Sequence, residues 1–209
     1  MEELLGAIEA LKQSEVKGLI DARIREFREI GEASSTEVFK ELCFCILTAN
    51  FSAERGIKIQ KEIGAGFLTL PESKLTEKLK ELGHRYPEAR AKYIVETRRY
   101  SESLKEIIES FCSGRMLREW LAENVKGLGF KEASHFLRNI GYEGLAILDR
   151  HILRTLVEAG VICELPKALS RKTYLDIEQK VLAYARRLGI PPDALDMVMW
   201  SAKTGHVFK

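Results

Sequence analysis

Most of the residue patterns that announce a cofactor or a hydrolytic centre are missing from this 209-residue chain. Cysteine is scarce. Cys43, Cys45, Cys112 and Cys163 show no CxxC spacing and no cluster near the C-terminus, which argues against an iron–sulfur centre. Cys43 and Cys45 fall in an apolar helical run and read as small core residues. The histidines, His84, His135, His151 and His206, are scattered without the spacing of metal ligands. There is no phosphate-cradling P-loop, no dinucleotide-binding glycine motif after a strand, and no Ser-His-Asp arrangement. Charge of one sign is also lacking. Lys and Arg number 33 against 31 Asp and Glu, a net charge of +2, so a general polyanion-coating role is excluded. No apolar run is long enough to cross a membrane and no secretory leader pattern stands at the start, so the expectation is a soluble, cytoplasmic protein.

Helical periodicity fills the space these absences leave. Apolar residues recur at helical spacing over 3–12, 15–29, 36–49, 53–64, 72–81, 88–100, 104–112 and 116–124, then over 130–140, 150–158, 172–188 and 193–202. No alternating strand pattern competes, and Pro191-Pro192 supplies the start of the last helix. The fold class predicted is all-α. Basic residues gather in two regions: Lys78, Lys80, Arg85, Arg90, Lys92, Arg98 and Arg99 in one, and Lys126, Lys131, Arg138, Arg150 and Arg154 in the other. Such local groups suit contacts to a few phosphates better than a basic tail would.

The most chemically loaded stretch runs from Val125 to Asp149. Gly127-Leu128-Gly129 forms a turn between two helical segments, and glycine allows backbone conformations in which N–H groups point outward. A turn of this kind at a helix start offers partial positive charge to a phosphate oxygen. The second helix carries Phe130, Ala133, Leu137 and Ile140 on an inward stripe and Lys131, His135 and Arg138 on a stripe expected to face outward. A plain helical hairpin in a core has the same pattern. Lys131 adds chemistry, because the macrodipole in a first helical turn disfavours a cation, and a neutral amine is the species that forms a Schiff base. Asp149 lies 18 residues further on, at the start of a helix-like run. It reads as an N-cap, and a cap also fixes a carboxylate where it can stabilise a cationic sugar or move a proton.

Leu128-Gly129-Phe130-Lys131-Glu132-Ala133, together with Leu148-Asp149-Arg150-His151, resembles the helix-hairpin-helix and Gly/Pro-Asp signature of base-excision DNA glycosylases. The lysine places the resemblance in the bifunctional subset, and the archaeal-type 8-oxoguanine DNA glycosylase/AP lyase group is most similar, over nearly the whole chain. That resemblance implies two helical lobes with a cleft between them. Residues 1–35 would pack with the C-terminal lobe, 36–140 would form a central helical barrel that includes the hairpin, and 141–209 would supply the catalytic and base-pocket helices. It also implies site residues. Lys131 and Asp149 would be catalytic, and Gly127 and Gly129 would contact phosphate, with a monovalent cation at the hairpin carbonyls. Asn50, Arg85 and Tyr86 would fill the gap left by an extruded nucleotide and touch the opposite strand. Trp200 and the terminal Lys209 would line the base pocket. The implied partner is duplex DNA containing oxidised guanine, bound by a monomer without an iron–sulfur cluster. Two alternatives stay open: a non-enzymatic helix-hairpin-helix DNA-binding module, and a glycosylase for another oxidised base.

Overall fold

The computed structural model describes residues 15–204 and Val207, so the helix expected over 3–12 lies outside the described residues. Among the described residues every regular element is helical. In chain order these are α1 (Glu15–Glu32), α2 (Ser35–Thr48), α3 (Ala53–Ile63), α4 (Gly66–Thr69), α5 (Glu72–Glu81), α6 (Pro87–Thr97), a 3₁₀ turn (Arg98–Tyr100) and α7 (Leu104–Glu109). Then follow α8 (Gly114–Asn124), α9 (Phe130–Asn139), α10 (Arg150–Glu158), α11 (Arg171–Leu188) and α12 (Pro192–Thr204). Only α4 escapes the periodicity reading, because one turn is too short to repeat a pattern. It is held by burial of Phe67.

Local chemistry sets the helix starts. Ser34, Ser52, Ser113 and Ser170 each accept a backbone N–H from the first turn of the helix that follows, the usual N-cap bond. Helix α2 is apolar over most of its surface, and Val38, Phe39 and Glu41 to Thr48 are buried, which puts it at the centre of the molecule.

The buried apolar side chains form two clusters. One contains Phe39, Phe44, Leu79, Leu121, Phe136 and other residues between Val38 and Leu145. The second joins Ile20 and Phe27 of α1 to Leu148, Leu156, Tyr174, Tyr184 and Met199. Helix α1 reaches the second cluster by packing on α12, and it also packs on α9. Gly31 makes the latter contact possible, since a Cβ there would sit 2.2 Å from the carbonyl oxygen of Ile140. Cys43 and Cys45 are fully buried in the first cluster, as expected of core residues, while Cys112 and Cys163 are exposed. Burial pushes the Cys43 thiol well above its ordinary value.

Helix α9 corrects one expectation. His135 and Arg138, assigned to an outward cationic stripe, are buried at 7% and 4% exposure, and Arg138 pairs with Asp196 at 3.3 Å. The stripe reading assumed one covered face, whereas α9 packs against α8, α2 and α1. The basic crowding between 78 and 99 is also partly structural. Arg90 donates to Ala49 O at 2.6 Å, and Arg98 donates to Phe67 O and Leu70 O, both at 2.7 Å, closing carbonyls that the loops leave open. Lys78 and Lys80 pair with Glu81 and Glu88. Arg85, Lys92 and Arg99 stay exposed.

Candidate active site

The hairpin begins where α8 ends at Asn124. Leu128 N–H donates to Val125 O at 3.2 Å, which closes the turn, and Leu128 is buried beneath it. Gly127 sits at φ +90°, where a Cβ would also meet the Tyr93 ring at 2.6 Å, so two independent constraints require glycine. Gly129 is the N-cap of α9 in extended backbone, and its N–H donates to Glu132 Oε2 at 3.2 Å. The turn's amides are therefore less free than the sequence reading expects, because Leu128 and Gly129 already have internal acceptors. The first-turn amides of α9 remain the anion-facing end of the helix.

Lys131 occupies that first turn with its side chain at 24% exposure, and Nζ lies 3.6 Å from Glu132 Oε1. Glu132 thus touches both the hairpin amide and the amine. Asp149 is the N-cap of α10, and its Oδ1 accepts Ile152 N–H at 2.8 Å. The cap predicted from sequence is present, and the Asp149 side chain is half-buried.

A buried polar network unites the segments that carry these two residues. Arg118 of α8 and Glu178 of α11 form a doubly hydrogen-bonded ion pair at 2.5 and 2.9 Å, with both side chains fully buried. Arg118 also donates to Ser134 Oγ, one turn beyond Lys131, at 3.1 Å. Glu178 accepts Ala146 N–H at 2.9 Å. The Tyr174 hydroxyl donates to Ala146 O at 2.7 Å, accepts Leu148 N–H at 3.3 Å and lies 3.4 Å from Ser134 Oγ. Burial pushes this phenol far above its ordinary value, so the hydroxyl keeps its proton and remains a donor. The Arg118 guanidinium stacks over Phe130 and Tyr174 at 5.0 and 5.5 Å. Arg118, Ser134, Tyr174 and Glu178 carry no local signature in the sequence. The available signal was a charged residue at an inward helical position: Arg118 follows Leu117, and Glu178 sits one turn after Tyr174 and next to Ile177.

Asn50 and the pair Arg85-Tyr86 lie on two neighbouring exposed loops. Among the described residues Asn50 alone, outside the glycines, has a positive φ, 57°, a conformation that Asn tolerates better than most. His84, which is buried, joins the loops. Tyr86 N–H donates to His84 Nδ1 at 3.0 Å, so Nε2 carries the proton and donates to Leu47 O at 3.0 Å. The His84 ring also packs on Phe51, with centroids 4.1 Å apart. Arg85 and Arg90 stack over Tyr86.

Trp200 is half-buried on α12 against the second core, 4.8 Å from the His151 ring. Lys209 lies outside the described residues.

An all-helical chain with a glycine hairpin feeding a lysine-bearing helix, and a capping aspartate on the next, defines a helix-hairpin-helix DNA-binding fold. The family model described as 8-oxoguanine DNA glycosylase matches residues 20–190. The chain belongs to that family. An 8-oxoguanine DNA glycosylase/AP lyase of Methanocaldococcus jannaschii is 54% identical, with 99% of each chain covered. One from Korarchaeum cryptofilum is 51% identical over 100% of this chain and 99% of its own. The crystal structure of the Methanocaldococcus jannaschii glycosylase/lyase in complex with a 15mer DNA containing 8-oxoguanine superposes with a TM-score of 0.95 at 54% identity, covering 99% of each chain.

Proposed function

We infer that this chain is a DNA glycosylase/AP lyase that excises 8-oxoguanine from duplex DNA and then nicks the strand. The observation that carries the reading is that the two segments carrying a half-buried first-turn lysine and an N-capping aspartate meet at the Tyr174 hydroxyl. It fits a full-length likeness to proteins named for that activity.

Duplex binding begins at the hairpin, where the α9 N-terminus and the turn around Gly127 and Gly129 approach phosphate oxygens. These contacts place the protein without reading sequence. The carbonyls of Val125 and Gly129 each accept one backbone N–H and keep a second lone pair, which suits a monovalent cation that would add positive charge toward phosphate. The damaged nucleotide must leave the stack before its sugar is reached. Asn50, Arg85 and Tyr86 occupy the space it vacates, and Trp200 with Lys209 holds the extruded base.

The neutral Lys131 amine attacks the anomeric carbon, the glycosidic bond breaks, and the electron pair departs with the base, which is protonated. Asp149 stabilises the cationic sugar and assists removal of the amine's proton. The opened sugar is then held as a Schiff base on Lys131. Loss of a proton from the adjacent sugar carbon expels the 3′ phosphate and cuts the strand. No step calls for a redox cofactor. We place the protein on chromosomal DNA in the cytoplasm as a monomer; among the described residues no helix is long and apolar enough to cross a membrane.

Borohydride reduction tests the reading directly. The wild-type protein is expected to become covalently fixed to 8-oxoguanine duplex, and Lys131→Gln to give no adduct. An undiminished adduct with Lys131→Gln would remove that lysine from the nucleophile's role.

A further inference from the structure

Resting on the function proposed above, the geometry around Tyr174 adds a residue to the machinery. We propose that Tyr174 is a positioning residue, whose hydroxyl ties the turn behind Lys131 to the loop ahead of Asp149 and so sets the separation of amine and carboxylate. Three contacts converge on one buried oxygen. Ala146 O at 2.7 Å and Leu148 N–H at 3.3 Å belong to the loop, and Leu148 directly precedes Asp149. Ser134 Oγ at 3.4 Å belongs to α9, on the face that Lys131 begins one turn earlier.

The surrounding groups prevent this oxygen from drifting. The Tyr174 ring is held edge-on by Phe130 at 5.6 Å, and the Arg118 guanidinium lies over it. Arg118 holds Ser134, while Glu178 holds Ala146, so each side of the Tyr174 link is secured a second time by the ion pair. Loss of the hydroxyl alone leaves those supports in place. It frees Leu148 N–H and Ala146 O, and the Asp149 cap shifts relative to α9. Reacting groups tolerate little such movement, since a misplacement of about 1 Å costs roughly 100-fold in rate.

Tyr174→Phe in the full chain tests this. Single-turnover excision of 8-oxoguanine, which uses both groups, is expected to slow by about 10- to 100-fold. Affinity for the lesion duplex should stay within about twofold, because the phosphate-facing hairpin is untouched. Borohydride trapping on a preformed abasic site needs only the amine and an aldehyde, and should fall by less than about threefold. Leu156→Ala, a cavity in the same core, serves as the control for instability and should leave excision at 25 °C unchanged. Ser134→Ala, which removes the α9 side of the link together with the acceptor of one Arg118 hydrogen bond, should show the same split to a smaller degree, and it carries the test if Tyr174→Phe does not fold. Wild-type excision by Tyr174→Phe, or equal losses on both substrates that Leu156→Ala reproduces, overturns the positioning role. Failure of the wild-type protein to form any adduct is a different result and overturns the proposed function instead.

Discussion

Asp149 caps a helix, and the proposed function gives the same carboxylate a second job that substitutions can separate from the first. Its Oδ1 caps α10 through Ile152 N–H, a task that an Asn side chain performs equally well. Asp149→Asn should therefore keep its melting temperature and its DNA affinity while losing about 10²- to 10⁴-fold in excision rate. Asp149→Ala should lose the same activity and, in addition, about 1 kcal/mol of stability, read as a lower midpoint in chemical denaturation. Wild-type excision by Asp149→Asn would leave the residue as a cap only. The first-turn place of Lys131, the Asp149 cap and the glycine turn were legible in sequence, because each depends on a specific residue type at short range, at a helix start. Arg118, Ser134, Tyr174 and Glu178 were not. Their roles depend on partners up to 60 residues away, and nothing local announces a buried ion pair.

Two loops act as one element through His84. Its ring accepts from Tyr86 N–H and donates to Leu47 O, so it must be neutral with the proton on Nε2. Burial lowers its pKa from the ordinary histidine value. The bond to Leu47 O opposes that shift, and the charge of Arg90 adds to it. A histidine whose folded-state pKa is depressed contributes stability that is complete above its unfolded pKa and is lost as pH falls through and below that value. Melting temperature should therefore drop between pH 7 and pH 5, and His84→Gln, which can accept and donate in the same directions, should flatten that part of the profile. An identical pH dependence in the two proteins would show that His84 does not couple the loops to protonation. At this scale the sequence showed nearly every helix, since periodicity is local. It did not show that Arg90 and Arg98 serve as caps for distant carbonyls, because a basic residue on a helix reads as solvated charge until the loop it closes is known.

Across the whole molecule, α1 and α9 touch both cores and the Arg118–Glu178 pair fastens α8 to α11. A buried ion pair is costly to break on one side, because it strands the other charge. Arg118→Met should cost about 3–5 kcal/mol in chemical denaturation. Arg118→Met combined with Glu178→Gln removes the stranded charge and keeps an acceptor for Ala146 N–H, so it should recover much of that loss. Strict additivity of the two single substitutions would mean that the pair contributes no coupling between the cores. The resemblance anticipated the all-helical fold, and the apolar periodicity agreed with it. The outward stripe on α9 failed at this scale, because how many faces a helix covers depends on the number of neighbours it has.

The distribution of thiols equips the native protein for distance spectroscopy. Cys112 lies beside the first core and Cys163 beside the second, and both are accessible, while Cys43 and Cys45 are sealed inside. Maleimide dyes would therefore attach at one point beside each core without any engineered site, and energy transfer between them would read out their separation with and without lesion DNA.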